Sequence, residues 1–324
     1  MNRSEFARNT HVLASSVFDP DALAGHLQAA RQGDAQAGAQ IAAAMAACAF
    51  SAPAATQRIY DVLAYTWLAQ PLPEVTTQVL PAAPLEADFW AAFWSVIDDA
   101  EQGYDAGSIT ARVAALGGAV NEGFGLLAET CAATHPGGAN AGQQAMPGRT
   151  DLSTLADCAD NTLGQTLYRM IVENGYDLEV LDREAIMLGD LPPALRFLNT
   201  RILQMHDVWH LVAGYQTTAS HEIAISAFQL AQFGHNYSAM FLATVLAISL
   251  ERNPQGFPIL MQLICEAWVH GRQTPALMAV EWESEWSSSI ADIRSRYGIR
   301  ELESVFPADL FESMQPAAAE AGAG

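Results

Sequence analysis

Ala, Leu, Gln and Glu dominate one segment of this chain after another, apolar residues recur three and four apart, and strand signals are scarce. That periodicity puts an apolar stripe along one face of each helix, and many such stripes are buried only by packing helix on helix. The expected fold is therefore all-α, a helical bundle. The punctuation agrees. "DPDALAGHLQAARQGDAQAGAQIAAAMAACAF" opens with Asp19, Pro20 and Asp21 and gives two Ala-rich helices divided near Gly33, and "ADFWAAFWSVIDDAEQG" gives another that stops at Gly103.

With 324 residues, 51% of them hydrophobic, the chain has material for one large core or two ordinary ones. Its formal charge of −21 repels phosphate backbones and anionic bilayers, so nucleic acid is not an expected partner and membrane contact would be peripheral, through an apolar patch or a partner protein. Cys48, Cys131, Cys158 and Cys265 are scattered singly, with no CxxC pair and no secretory leader ahead of them, which suits a reducing compartment. The expected location is cytoplasmic, peripheral at the inner membrane face where a membrane is touched. The best apolar run, "AMFLATVLAISL" (Ala239 to Leu250), is well short of the roughly 20 residues a membrane span needs.

The segment "HPGGANAGQQAMPGR" (His135 to Arg149) replaces periodic hydrophobics with Gly, Ala, Asn, Gln and Pro. It divides the chain into an N-terminal helical domain or extension, residues 1–135, a linker at 136–150 and a second helical domain at 151–306. Residues 307–324 end in "QPAAAEAGAG" and are expected to be a disordered tail.

Chemistry concentrates in "HDVWHLVAGYQTTASHE". His206 and His210 sit on the long helix "LPPALRFLNTRILQMHDVWHLVAGY", entered through Pro192 and Pro193. At about 100° per residue the two histidines lie about 40° apart on one face, with Asp207 about 60° from His210. "QTTAS" breaks the helix, Ser220 is a candidate N-cap for the next one, and an antiparallel hairpin brings Glu222 to the level of His210. Two imidazoles with one or two carboxylates suit Zn²⁺ first, with Fe²⁺ or Mn²⁺ as alternatives. The plainer reading is a pair of partly buried histidines satisfied by Asp207, Glu222 and backbone groups. Two enzyme readings fit less well. A zinc protease would use Glu where Asp207 stands, and an HD-type phosphohydrolase would want more Lys or Arg around an anionic substrate.

His206-Asp207-x-x-His210, eleven residues and then Glu222 resembles, position for position, the signature motif of the ubiquinone (coenzyme Q) biosynthesis protein four family. "NTLGQTLYRMI", Arg201, Gly214, "FQLAQFG" and the Trp-Ala…Gly-Arg…Trp-Glu…Arg…Gly-Ile pattern of "EAWVHGRQTPALMAVEWESEWSSSIADIRSRYGI" resemble its flanks, so the likeness covers about Asp151 to Ile299. The chain departs from the family at Leu203 and Gln204 (usually Arg and Glu), Ser226 (usually Lys) and Gln229 (usually Glu), and its N-terminal half has no counterpart in compact members. The resemblance implies an all-helical protein that binds a divalent metal, usually zinc, and a polyprenylated aromatic small molecule. It implies removal of the C1 carboxyl of a polyprenyl-hydroxybenzoate, oxidatively, beside other quinone-biosynthesis proteins. A non-catalytic prenyl-lipid scaffold is the alternative. His206, His210 and Glu222 are then the expected ligands, with Asp207 as a ligand or an orienter of one. A homo-oligomer is expected.

Tyr168, Arg169 and Arg201 are weaker candidates for substrate contact, the arginines because their fork suits a carboxylate. His221 and His235 are possible proton donors, each more often a satisfied or solvated histidine. "VEWESEW" reads as an amphipathic helix with Trp282 and Trp286 in the core rather than a second metal site. Ala239 to Leu250 and "GFPILMQLICEAW" either line a tunnel for the prenyl tail or pack as plain core.

Overall fold

A helix entered through Pro192 has no side chain of its own to cap it, and in this protein the cap comes from elsewhere. The Glu129 carboxylate accepts the Ala194 and Leu195 N–H groups, each at 2.9 Å. The computed structural model describes residues 1–99, 112–113, 115–176 and 190–314. Its helices are α1 Arg3–Ser15, α2 Pro20–Arg31, α3 Ala35–Phe50, α4 Thr56–Trp67, α5 Ala87–Asp98, α6 Glu122–Thr134, α7 Leu152–Ala156, α8 Leu163–Asn174, α9 Pro193–Ala213, α10 Ala219–Phe233, α11 Asn236–Arg252, α12 Phe257–Gln273, α13 Ile290–Tyr297 and α14 Leu310–Met314. Among the described residues there is no strand, and the all-α expectation stands. No helix among them is long and apolar enough to cross a membrane. Gly103, the expected stop of α5, lies outside the described residues.

The N-terminal part, expected as a helical extension or a domain, shares one hydrophobic core with the second part, and that core runs from Phe6 to Ile299. α11 packs along α3, and α12 along α4. Asp61 of α4 is 1% exposed and accepts from Trp268 Nε1 of α12 at 2.8 Å and from Arg272 Nε at 3.2 Å, while Tyr60 stacks on Trp268. Trp67 Nε1 donates to Gln262 across the same seam at 2.7 Å. Met240, Phe241, Leu242 and Leu246 of the run considered for a tunnel are buried in this core.

The expected linker is an ordered strap. His135 Nδ1 accepts from Gly137 N at 3.1 Å, Pro136–Gly138 and Ala141–Gln143 form 3₁₀ turns, and Gln204 Nε2 of α9 donates to the Gly148 carbonyl. Its glycines serve close approach: a Cβ on Gly137 would overlap the Gln232 carbonyl of α10. Composition alone does not separate a glycine needed for freedom from one needed for space.

Two local expectations differ from the structure. "VEWESEW" forms only a 3₁₀ turn, Trp282–Ser284, yet Trp282 and Trp286 are core residues as expected. Residues 307–314, expected in a disordered tail, include α14. The Ala308 carbonyl accepts from the Thr218 and Ser220 hydroxyls, and Glu312 accepts from Ala219 N at 2.8 Å. This segment is held by polar contacts at the start of α10, which a scan for apolar residues does not see. The run "QPAAAEAGAG" lies outside the described residues.

Candidate metal centre

α9 and α10 are antiparallel arms of a hairpin. α9 ends at Gly214, whose left-handed φ of 79° lets its N–H return to the His210 carbonyl at 3.1 Å. The remaining carbonyls at that end are taken by distant groups. Arg294 of α13 donates to Leu211 and Val212, both at 2.9 Å, and Leu302 N donates to Ala213 at 2.9 Å. α10 starts at Ala219 with Thr218, not Ser220, in the N-cap position, and neither hydroxyl caps the helix, since both donate to the Ala308 carbonyl. Glu222 falls in the first turn of α10, as the hairpin reading requires.

The result is a convergence of three side chains. His206 Nε2 and His210 Nε2 are 3.0 Å apart, and each is 3.3 Å from one oxygen of Glu222. These three residues each offer a ligand atom within 4.8 Å of the others. At bond lengths of about 2.0–2.2 Å to nitrogen and oxygen, the ligand atoms of a tetrahedral Zn²⁺ lie roughly 3.3–3.5 Å from one another, so the spacing fits an ion. The floor is closed and one side is open: the His210 side chain is 1% exposed, those of His206 and Glu222 21% and 26%. Three protein ligands with an accessible side is the pattern of a catalytic rather than a structural site.

The outer nitrogens of the rings are also engaged. His210 Nδ1 lies 3.2 Å from the Tyr215 carbonyl, and since a carbonyl only accepts, the proton is on Nδ1 and the lone pair on Nε2 faces the site. His206 Nδ1 lies 2.7 Å from Gln229 Nε2, so as placed the carboxamide nitrogen faces the ring. A carboxamide presents either its NH₂ or its oxygen, and the oxygen accepting Nδ1–H would free His206 Nε2 as a ligand.

Charge follows geometry. Burial pushes the His206 pKa down, but the hydrogen bond and charge of Glu222, with help from Asp207 and Gln229, raise it on balance above its ordinary value. Burial favours the neutral Glu222 acid, and the two histidines outweigh this and depress its pKa strongly. Asp207 is buried next to this pair. Desolvation raises its pKa, opposed by His206 and His210, and it is not among the three convergent ligands.

The other expected site residues are placed as follows. The Arg201 guanidinium, 8% exposed, is closed on Glu283 through two parallel hydrogen bonds. His235 bonds Ser238 Oγ at 2.9 Å and Asn199 Oδ1 at 3.1 Å, and burial pushes its pKa down to about 3, so it is a neutral connector of α9 and α11. His221 accepts from Gln216 N at 2.8 Å in the hairpin turn, and burial lowers its pKa. Tyr168 is half-buried on α8, and Arg169 pairs with Asp160 at the surface. Sequence reasoning passed over Tyr215 and His270. Tyr215 Oη and His270 Nδ1 are 2.9 Å apart, with His270 Nε2 2.9 Å from the Arg300 carbonyl. Their 55-residue separation carries no local signal.

A helical protein with a two-histidine, one-carboxylate centre on an α9–α10 hairpin is the class that this fold and site define. Residues 144–303 match the family described as coenzyme Q (ubiquinone) biosynthesis protein Coq4, and the chain is a divergent member of that family over this stretch. It is 25% identical over 150 residues to the ubiquinone biosynthesis protein COQ4, mitochondrial, of Laccaria bicolor, covering 46% of this chain and 48% of that protein. Identity to the protein of the same name from Eremothecium gossypii is 28% over 150 residues, 46% and 45% of the two chains. The COQ4 homolog, mitochondrial, of Drosophila melanogaster is 29% identical over 110 residues, 34% and 40% of the two. The matches thus span about half the length of these relatives or less. A crystal structure of a putative ubiquinone biosynthesis protein from Nostoc punctiforme aligns with a TM-score of 0.49 at 24% identity, over 65% of this chain and 96% of that one.

The relatives are named as mitochondrial proteins, which contradicts the cytoplasmic location expected from the cysteines. Unpaired cysteines distinguish a reducing from an oxidising compartment but not one reducing compartment from another.

Proposed function

We propose that this protein acts in ubiquinone biosynthesis as a divalent-metal protein, with His206, His210 and Glu222 as ligands, and removes the C1 carboxyl of a polyprenylated hydroxybenzoate. The observation that carries the reading is the meeting of three ligand atoms, 3.0–3.3 Å apart, on a buried floor with an open side. Zn²⁺ suits this donor set, as does Fe²⁺. When bound, the ion supplies a Lewis acid that draws charge from a phenolate or carboxylate. The chain's residues do the rest. Tyr215 and Gln229 hold the imidazoles by their outer nitrogens, and the depressed pKa of Glu222 keeps it an anionic ligand. The 1% exposure of His210 keeps water from beneath the site. In a simple decarboxylation the C1–carboxyl bond breaks, CO₂ leaves and a proton takes its place. An oxidative course that leaves a hydroxyl at C1 also consumes an oxidant such as dioxygen.

A second reading is a non-catalytic scaffold that presents prenylated intermediates to other quinone-biosynthesis proteins. The Arg201–Glu283 pair favours it, because the arginine best suited to a substrate carboxylate is already neutralised. Two measurements separate the readings: metal content of the purified protein, and quinone synthesis by His206→Ala in a strain lacking the endogenous protein. Metal in the wild type and no quinone from the variant support the enzyme. Absence of metal together with full complementation by His206→Ala defeats it, and extracted isoprenoid without turnover supports the scaffold.

A further inference from the structure

The proton on His210 is placed by a chain of contacts that leads away from the metal centre. At its far end His270 Nε2 lies 2.9 Å from the Arg300 carbonyl, which only accepts, so Nε2 carries the proton. Burial lowers the His270 pKa and keeps the ring neutral, which leaves a lone pair on Nδ1. Tyr215 Oη, 2.9 Å away, must then donate to it. Anchored by this hydroxyl, Tyr215 aims its carbonyl at His210 Nδ1. The two carbonyls fix the direction of the outer hydrogen bonds, and the neutral His270 ring that of the middle one.

Tyr215 follows Gly214, whose left-handed backbone lies where a chain reverses; its own N–H returns to the His210 carbonyl at 2.9 Å and the Gln216 N–H donates to His221 at 2.8 Å, so the Tyr215 side chain is a third hold on the residue whose carbonyl faces His210. Phe228 completes the anchor, its ring 5.4 Å from that of Tyr215 and 5.1 Å from that of His270. We infer that His270 is a positioning residue for the metal centre. Acting through Tyr215, it holds His210 in the Nδ1–H tautomer, with the Nε2 lone pair toward His206 and Glu222. The use of that lone pair rests on the metal reading proposed above. The tautomer itself does not.

The test uses the metal-free full-length chain and three variants. His270→Leu removes both hydrogen bonds and keeps an apolar body. His270→Gln offers one oxygen acceptor and one N–H donor, as His270 does, and Tyr215→Phe removes only the hydroxyl. Zn²⁺ affinity is read by competition with a chromophoric chelator, and the His210 tautomer from imidazole ¹⁵N shifts, below each variant's melting temperature. His270→Leu and Tyr215→Phe are expected to weaken Zn²⁺ about 10-fold, the lower end for outer partners of a ligand histidine, and to give His210 a mixture of tautomers. His270→Gln is expected to keep the wild-type affinity and the Nδ1–H form. Wild-type affinity and tautomer in Tyr215→Phe overturn the inference, also if His270→Leu fails to fold. So does a His270→Gln protein as weak as His270→Leu, which reduces His270 to packing. If wild type binds no Zn²⁺ the metal reading fails, and the tautomer in the metal-free variants still decides the role of His270.

Discussion

His206 and His210 face each other Nε2 to Nε2 at 3.0 Å, with Glu222 3.3 Å from both. Three groups competing for the same small volume are stabilised by a shared proton or by a cation. Removing one ligand therefore costs the ion its site. His210→Ala is expected to lower Zn²⁺ affinity by at least about 100-fold, the upper range for loss of a mere outer partner. Elemental analysis after gel filtration and a chelator titration check this.

The same geometry sets a pH dependence in the metal-free protein. His206 has a raised pKa, so its stabilising contribution is complete below its ordinary 6.5 and is lost as pH rises through the folded value. Glu222 has a depressed pKa, so its contribution is complete above its ordinary 4.5 and is lost as pH falls toward the folded value. The two overlap between about pH 4.5 and 6.5. The melting temperature of wild type is expected to exceed that of Glu222→Gln most in this window. Zn²⁺ competes with the proton on His206, so on acidification the apparent Zn²⁺ affinity should begin to fall at a pH above the ordinary 6.5 of a histidine.

Gln229 stands 2.7 Å from His206 Nδ1. A carboxylate there accepts Nδ1–H and makes the imidazole a more basic ligand, whereas an apolar side chain leaves Nδ1 unpartnered. Gln229→Glu is expected to bind Zn²⁺ more tightly than wild type and Gln229→Leu about 10- to 100-fold more weakly. Chelator competition at one fixed pH measures both.

Asp61 is buried between Trp268 and Arg272 on the seam that joins the N-terminal helices to α12. Asp61→Ala strips the guanidinium and the buried indole N–H of their acceptor and is expected to cost about 1–3 kcal/mol. Because the core is shared, urea unfolding of wild type should be one transition by both tryptophan fluorescence and far-UV circular dichroism.

Gly137 lies against the Gln232 carbonyl with no room for a side chain. Gly137→Ala must displace the strap from α10 and is expected to destabilise the fold by about 1–3 kcal/mol, with a lower melting temperature as the readout. A flexible linker would tolerate the change.

The helices were legible because helix formation is local. Gly33 divides α2 from α3, and Asp19 with Pro20 starts α2, since caps and backbone preferences act within a few residues. The meeting of three of the four expected ligand residues was legible for the same reason: four-residue spacing fixes His206 and His210 on one face, and a short break returns Glu222 to them, whereas Asp207 stays outside the cluster. The strap and the seam were not. A run such as "HPGGANAGQQAMPGR" has the composition of a linker whether or not another helix lies against its glycines.

The sequence by itself thus determined an all-α chain and which residues could meet at a metal, because periodicity and turn chemistry are short-range. Only the tertiary structure decided that Arg201 is spent on Glu283, that the described N-terminal helices share one core with the helices carrying His206, His210 and Glu222, and that His210 faces the Tyr215 carbonyl while the Tyr215 hydroxyl meets His270. Each of these depends on groups far apart in the chain brought within hydrogen-bond distance or van der Waals contact. Directional and short-ranged as those interactions are, they exist only once the helices have packed.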